Sequence, residues 1–199
     1  MLINSENSTD APLVVVIAGP NGSGKSTAAP YLLRDYAGVR EFVNADDIAR
    51  GLSVFQPESV GLQAGRIMLR RLQELAKEQK SFAFETTLAS SSFAPWLRAL
   101  QKEGYRVHLI FLWLPAPELA VQRVQGRVEL GGHSVPETTI HRRYQAGLSN
   151  LLRNYIPFVE SWLVMDNSSN ALVPIAHSSN GQPTVFKEEL WNQIQSGHP

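Results

Sequence analysis

The chain has 199 residues, 18 Lys and Arg against 18 Asp and Glu, 43% hydrophobic residues and no cysteine. This length predicts one domain spanning residues 1–199. The absence of cysteine excludes disulfides, thiolate metal sites and a cysteine nucleophile. A formal net charge of zero argues against an extensive nucleic-acid interface, because such interfaces need a basic excess.

The first residues are polar and contain neither Lys nor Arg, which is not the pattern of a signal peptide. We expect residues 1–11 to form a flexible tail. The apolar runs at 13–18 and 109–114 are too short to span a bilayer. The sequence therefore predicts a cytoplasmic protein that does not associate with membranes.

Short apolar runs alternate with helical patterns along most of the chain. The predicted strands are 13–18, 39–43, 81–84, 105–114 and 161–165. The predicted helices are 25–36, 57–80, 95–103, 117–129 and 136–154. Residues 172–186 predict a hairpin around Asn180-Gly181, followed by a short helix. This order predicts an α/β fold with a mostly parallel five-stranded sheet, helices on both faces and a C-terminal β-hairpin.

A glycine-rich segment follows the first strand and opens the first helix, and it matches the pattern G-x-x-x-x-G-K-[ST]. Its members are Gly19, Pro20, Asn21, Gly22, Ser23, Gly24, Lys25, Ser26 and Thr27. The glycines allow backbone N–H groups to approach phosphate oxygens. We expect Lys25 to reach the β- and γ-phosphates and Ser26 to ligate Mg²⁺. The sequence thus predicts a nucleotide-binding P-loop.

Two aspartates follow the second strand, Asp46 and Asp47. Ligands of open α/β sheets bind at the carboxyl ends of the strands. A carboxylate there can accept a proton from a substrate hydroxyl or hold Mg²⁺. We favour Asp46 for this role, since adjacent side chains diverge. The alternative is that one of the two caps the turn that follows.

The third strand ends in Glu85-Thr86-Thr87, again at a strand carboxyl end. Glu85 and the hydroxyls can bind sugar hydroxyls or the metal. The alternative is that Thr86 or Thr87 caps the next element.

Arginines flank a glycine-rich loop at 131–133. Arg123 and Arg127 precede it at helical spacing, and Arg142 and Arg143 follow it. A mobile segment flanked by arginines suits a phosphoryl-transfer lid. The alternative is solvated surface charge, and we interpret the loop residue His133 as exposed.

The fifth strand ends in Asp166-Asn167-Ser168. Loops at this place bind the base in many nucleoside-phosphate kinases, and Asn167 could read an adenine edge. A simple turn is an equal alternative.

Taken together, these segments resemble the zeta-toxin family of P-loop kinases, especially its short stand-alone members. The segments that carry the resemblance lie between residues 13 and 169 and read GPNGSGKST, FVNADDIARG, FAFETTLAS, GYRVHLIFLWLPAPELAVQRVQGRV, GGHSVPETTIHRRY and MDNSS. The resemblance implies a kinase-type P-loop fold with ATP as phosphoryl donor and GTP as an alternative. The characterised toxins phosphorylate the 3′-hydroxyl of UDP-N-acetylglucosamine.

By the same resemblance, Lys25, Ser26 and Thr27 bind phosphates and magnesium, and Asp46 corresponds to the general base. An antitoxin protein becomes a candidate partner.

On the acceptor side, the resemblance makes Glu85 and Thr87 sugar-nucleotide contacts and puts Arg123 and Arg127 in the arginine-bearing lid. The chain departs from the family in two ways. It is shorter than the toxins, which carry their own substrate-binding insertions. It also has Gly-Gly-His where a second lid arginine is expected.

The leading hypothesis is a phosphotransferase that moves the γ-phosphate of ATP to a hydroxyl of a small molecule, for example a nucleotide sugar. One alternative is a polynucleotide 5′-kinase, which needs a basic acceptor channel. Another is a nucleotide-gated binding module that transfers nothing.

Overall fold

The computed structural model describes residues 11–36, 38–132, 134–169, 171–179 and 181–197. The expected tail lies outside the described residues except for its last position. His133 and Asn180 also lie outside them.

Seven strands form one sheet in the order β2-β3-β1-β4-β5-β6-β7. Their bounds are β1 Leu13–Ala18, β2 Glu41–Val43, β3 Phe82–Thr86, β4 Arg106–Trp113, β5 Ser161–Asp166, β6 Val173–Ser179 and β7 Gln182–Val185. The first five pair in parallel, whereas β5–β6 and β6–β7 are antiparallel. The predicted α/β class and mostly parallel sheet are confirmed.

The predicted number of strands, five, is wrong. The C-terminal hairpin forms as expected, but it pairs along β5 and extends the same sheet. Val164 and Ala176 are paired and fully buried, so the hairpin covers an apolar strand that would otherwise be an edge.

Helices cover both faces of the sheet, as predicted. They are α1 Lys25–Leu33, α2 Ala45–Leu52, α3 Gly61–Lys77, α4 Phe93–Lys102, α5 Pro117–Glu129, α6 Glu137–Asn150 and α7 Glu188–Ser196. A 3₁₀ turn at Pro57–Val60 precedes α3, and a π turn at Leu151–Tyr155 follows α6. Helix α2 is an addition to the sequence prediction, which had only a turn there. None of the described helices is both long and apolar enough to cross a membrane.

Strand β1 lies at the centre of the molecule, between β3 and β4. Residues 14–18 have no solvent exposure, as the unbroken apolar run predicts for a strand buried on both faces. Val15 and Ile17 contribute to the core layer under α1, and Val14 and Val16 to the larger layer on the opposite face. Each of these side chains contributes about 1.5–3 kcal/mol by burial. This rigid strand ends directly at the P-loop.

The parallel strands bring the segments after β1, β2, β3 and β5 to one edge of the sheet. That edge carries the P-loop, both aspartates, Glu85 and Asn167. The topology therefore gathers the residues that the sequence singled out, although they are distant along the chain.

Candidate active site

The P-loop occupies the gap between the end of β1 and the first residue of α1, Lys25. Gly22 and Gly24 adopt left-handed φ angles of 74° and 82°. A Cβ on Gly22 would lie 2.7 Å from the carbonyl oxygen of Ala120, and one on Gly24 would lie 2.6 Å from Nδ2 of Asn167. Glycine is therefore required at both positions by conformation and by space. The loop is pressed between α5 and the segment after β5.

Asn167 ties the P-loop to the fifth strand. Its Nδ2 donates to the carbonyl oxygen of Ser23 at 2.7 Å, and its backbone N–H donates to Trp113 at 3.1 Å. The same segment binds α5, because Nη2 of Arg123 donates to the carbonyl of Ser168 at 3.0 Å. The side-chain amide that the sequence offered for reading adenine is thus engaged with the P-loop backbone.

Lys25 is buried, with 6% of its side chain exposed. Its Nζ donates to the carbonyl of Pro20 at 2.8 Å and lies 3.6 Å from Oε1 of Glu85. Burial lowers the pKa of Lys25 below its ordinary value; the carboxylates of Glu85 and Asp46 oppose that shift, and the charge of Arg127 adds to it. The lysine therefore lies beside the Glu85 carboxylate of β3, and charges from α2 and α5 act on it.

Ser26 and Glu85 form a second contact of the P-loop helix with β3. The Ser26 hydroxyl donates to Oε2 of Glu85 at 2.7 Å. Nδ2 of Asn44 donates to the same carboxylate oxygen at 2.9 Å and to the Ser26 hydroxyl at 3.3 Å. Glu85 thus receives hydrogen bonds from two side chains and faces the lysine with its other oxygen.

The two aspartates behave differently. The negative charge of Asp46 acts on Lys25 and on Arg143. Burial lowers the pKa of Arg143 below its ordinary value, and the Asp46 carboxylate opposes that shift only in part. Asp47 is exposed, and its carboxylate accepts from Arg50 at 3.1 Å within α2. The cap of α2 is neither aspartate but Asn44, whose Oδ1 accepts from the backbone N–H of Asp46 at 2.8 Å. Asp46 therefore remains available to the P-loop side of the site.

The four arginines around the glycine loop lie in different environments. The charge of Arg127 acts on Lys25, whereas Arg123 binds the segment after β5. Nη1 of Arg143 donates to Oδ1 of Asn21 in the P-loop at 3.4 Å, and Arg142 is exposed. Arg143 thus contacts the P-loop directly, and Arg127 acts on the P-loop lysine through its charge.

Thr87 lies next to this cluster in a tightly packed segment. Its hydroxyl accepts from the backbone N–H of Ala89 at 3.4 Å, and its carbonyl oxygen would lie 2.4 Å from a Cβ on Gly147. Helix α6 thus contacts the backbone of Thr87 directly. Lys25, Ser26, Asn44 and Glu85 form one connected cluster, whereas Thr87 is held separately against α6.

The residues of this site fit a nucleoside triphosphate with Mg²⁺. The tightly packed glycine positions of the P-loop let backbone N–H groups contact phosphates. The positive end of the α1 helix dipole lies at the same loop. Within the described ranges, the buried Ser23 hydroxyl has no protein hydrogen-bond partner, and no group of three His, Asp or Glu side chains could hold a metal. A magnesium ion that keeps its waters and phosphate ligands needs only one or two protein oxygens, which Ser26 and Glu85 can supply.

The zeta toxin family model matches residues 2–175. The chain belongs to the zeta toxin family. An uncharacterised protein of Haemophilus influenzae is 28% identical over 130 residues, which cover 65% of this chain and 91% of that protein.

Two solved structures show the same fold as this zeta toxin family member. A chain of the AvrRxo1-ORF1:AvrRxo1-ORF2 complex crystallised with ATP superposes with a TM-score of 0.74 and 19% identity over 95% of this chain. This chain spans 65% of that neighbour's length. A chain from the PezAT toxin–antitoxin system of Streptococcus pneumoniae superposes with a TM-score of 0.65 and 16% identity, covering 98% of this chain and 88% of the other.

Sequence reasoning missed Asn44 as a member of the site. An Asn two residues before an acidic position and at the start of a helix is a capping pattern that could have signalled it. The contact of Arg143 with Asn21 joins residues 122 positions apart, and no local pattern signals it.

Proposed function

We propose that this zeta toxin family member is an ATP-dependent kinase that transfers the γ-phosphate to a hydroxyl of a small molecule. The observation that carries the proposal is the environment of Lys25. Two carboxylates, Glu85 at the end of β3 and Asp46 in α2, oppose the lowering of the pKa of the buried Lys25. A phosphate-binding lysine can hold the donor, and a carboxylate can accept the proton of the acceptor hydroxyl. The two kinds of group together supply what phosphoryl transfer needs.

On the donor side, Lys25 binds the β- and γ-phosphates after its Nζ leaves the Pro20 carbonyl. Thr27 contacts the α-phosphate, and the rest of the loop contributes backbone N–H groups. Ser26 provides its hydroxyl oxygen to Mg²⁺, and Glu85 orients that hydroxyl. When bound, Mg²⁺ would be held by Ser26 and Glu85 and would neutralise charge on the phosphates.

On the acceptor side, Asp46 orients the hydroxyl and takes its proton as general base. Arg127 and Arg143 stabilise the charge of the transferred group, since both lie on the side of Lys25 and the P-loop. Arg123 keeps the segment after β5 against α5. The cationic groups that stabilise this charge, Lys25, Arg127 and Arg143, come from three helices, α1, α5 and α6.

For the acceptor we propose a nucleotide sugar, with UDP-N-acetylglucosamine as the first candidate because of the family. Thr87 is the proposed contact to it, and Glu85 is shared between acceptor and metal. An antitoxin protein is the proposed partner, by analogy with the PezAT system. ATP-dependent transfer requires an ATP-containing compartment, so we propose a cytoplasmic location.

The proposal is tested with γ-labelled ATP, Mg²⁺ and a panel of nucleotide sugars, sugars and 5′-hydroxyl oligonucleotides, with products identified by mass spectrometry. We expect transfer to one hydroxyl acceptor, abolished in Lys25→Ala. Transfer to the oligonucleotide alone would instead establish the polynucleotide kinase. ATP binding with no product from any acceptor would favour the binding module.

A further inference from the structure

One buried amide joins the two halves of the site. Asn44 follows β2 directly and is 5% exposed. It accepts from the backbone N–H of Asp46 and donates to Glu85 and to Ser26. These partners belong to α2, β3 and α1. A single side chain thus contacts the element that carries the proposed base and both residues of the proposed metal side.

The direction of these hydrogen bonds is fixed by the partners. The N–H of Asp46 can only donate, so Oδ1 of Asn44 must face it. An ionised Glu85 can only accept, so Nδ2 must face the carboxylate. Only a side chain with an acceptor and a two-proton donor satisfies both sides at once.

A helix cap alone does not require this arrangement. Capping needs one acceptor oxygen, and Ser serves as well as Asn. The two donated hydrogen bonds are additional, and they are directed at a carboxylate only 10% exposed and a hydroxyl bonded to it. Hydrogen bonds to a charged group are stronger than those between neutral groups. The two hydrogen bonds donated by Nδ2 of Asn44 therefore set the distance between the start of α2 and the Ser26–Glu85 pair.

We propose that Asn44 is a positioning residue that couples Asp46 to the metal-side pair Ser26 and Glu85. This inference rests on the proposed kinase function. Because the amide is neutral, it holds two carboxylate-bearing elements beside Lys25 without adding a third negative charge. When only the N–H donors of Asn44 are lost, α2 keeps its cap, but Ser26 and Glu85 are no longer connected to the start of the helix that carries Asp46.

The test compares Asn44→Ser with Asn44→Ala. Serine is a good cap, but its hydroxyl lies one bond from Cβ and is too short to reach Glu85 and Ser26 while capping. Alanine loses the cap as well. We expect both variants to lower the Tm, and Asn44→Ala to lower it by about 2–4 °C more than Asn44→Ser, because only alanine loses the cap.

The first readout is the ratio of the ATP dissociation constants measured in EDTA and in Mg²⁺. We expect Asn44→Ser and Asn44→Ala to reduce this ratio alike, by about tenfold or more, because each loses a hydrogen bond to a charged group. The second readout is kcat, which we expect to fall at least as far, with a smaller change in the KM for ATP. An unchanged ratio and kcat in Asn44→Ser would show that Asn44 is only a helix cap.

Combination with Glu85→Gln separates coupling from a general loss of packing. If Asn44 acts through Glu85, the double variant Asn44→Ser/Glu85→Gln has the same Mg²⁺ ratio as Glu85→Gln alone. Additive losses would overturn the proposal. The Mg²⁺ ratio needs no acceptor, so it decides the role of Asn44 even if every transfer assay fails and the proposed kinase function falls.

Discussion

The hydroxyl of Ser26 donates a 2.7 Å hydrogen bond to the carboxylate of Glu85, and this contact joins the P-loop helix to the end of the third strand. The other oxygen of Glu85 lies 3.6 Å from Nζ of Lys25. One carboxylate therefore contacts both P-loop side chains that carry the chemistry. The sequence offered Glu85 for sugar hydroxyls or for the metal, and the geometry adds its contact with the lysine.

Replacing Glu85 with Gln should change the pH dependence of nucleotide binding. Burial lowers the pKa of Lys25, and Glu85 is the largest influence that opposes the shift. Without this carboxylate the pKa of Lys25 falls further, so the ammonium loses its proton at a lower pH. We expect the alkaline limb of ATP affinity against pH, measured by a fluorescent ATP analogue, to move to lower pH.

Glu41→Gln is the matched control for that experiment. Glu41 pairs with Arg71 on the β2 edge of the sheet, and its side chain is 38% exposed. The alkaline limb should stay in place in this variant. An unchanged limb in Glu85→Gln, or an equal shift in both variants, would contradict the electrostatic role of Glu85.

Replacing Asn167 with Ala distinguishes a clamp on the P-loop from a reader of adenine. The lost hydrogen bond to the Ser23 carbonyl is worth about 1 kcal/mol, or about fivefold in affinity. Because the P-loop binds phosphates and not the base, we expect ATP and GTP to lose affinity by the same factor. Titration calorimetry with both nucleotides measures this. A loss confined to ATP would show that Asn167 reads the base.

A methyl group on Gly147 should displace Thr87. The added Cβ would lie 2.4 Å from the Thr87 carbonyl oxygen, closer than real Cβ atoms approach backbone. We expect Gly147→Ala to lower the free energy of unfolding by about 1–3 kcal/mol and to raise the KM for the acceptor more than the KM for ATP. Urea denaturation and steady-state kinetics measure the two effects.

Gly65→Ala is the control for this substitution. Gly65 lies within α3, and a Cβ there would meet nothing within 4 Å. Alanine should stabilise this helix by about 0.5–1 kcal/mol and leave both KM values unchanged. If Gly147→Ala raised the two KM values equally, Thr87 would have no specific role at the acceptor.

The sequence predicts those parts of the molecule that are encoded locally. The unbroken apolar run of β1 and the adjoining P-loop motif each lie within ten residues, and both predictions of secondary structure are confirmed there. The pairing of β6 with β5 depends on a contact across the loop between them, and the sequence signalled only the hairpin. The role of Asn44 depends on Glu85, 41 residues away, and so could not be found from a pattern at the end of β2. Helix α2 has eight residues and was too short for a clear helical repeat.

The proposed role of Asp46 is that of general base in a phosphoryl transfer, and the adjacent Asp47 provides the control. Both are aspartates in the first turn of α2, but Asp46 acts on Lys25 whereas Asp47 pairs with Arg50 in solvent. We would measure transfer from γ-labelled ATP to its acceptor, together with ATP affinity, in Asp46→Asn and Asp47→Asn. If Asp46 is the general base, Asp46→Asn lowers kcat by about 10²–10⁴-fold with ATP affinity within about twofold, and Asp47→Asn keeps both. Equal turnover in Asp46→Asn and the unaltered protein, or an equal loss in Asp47→Asn, would contradict this role of Asp46.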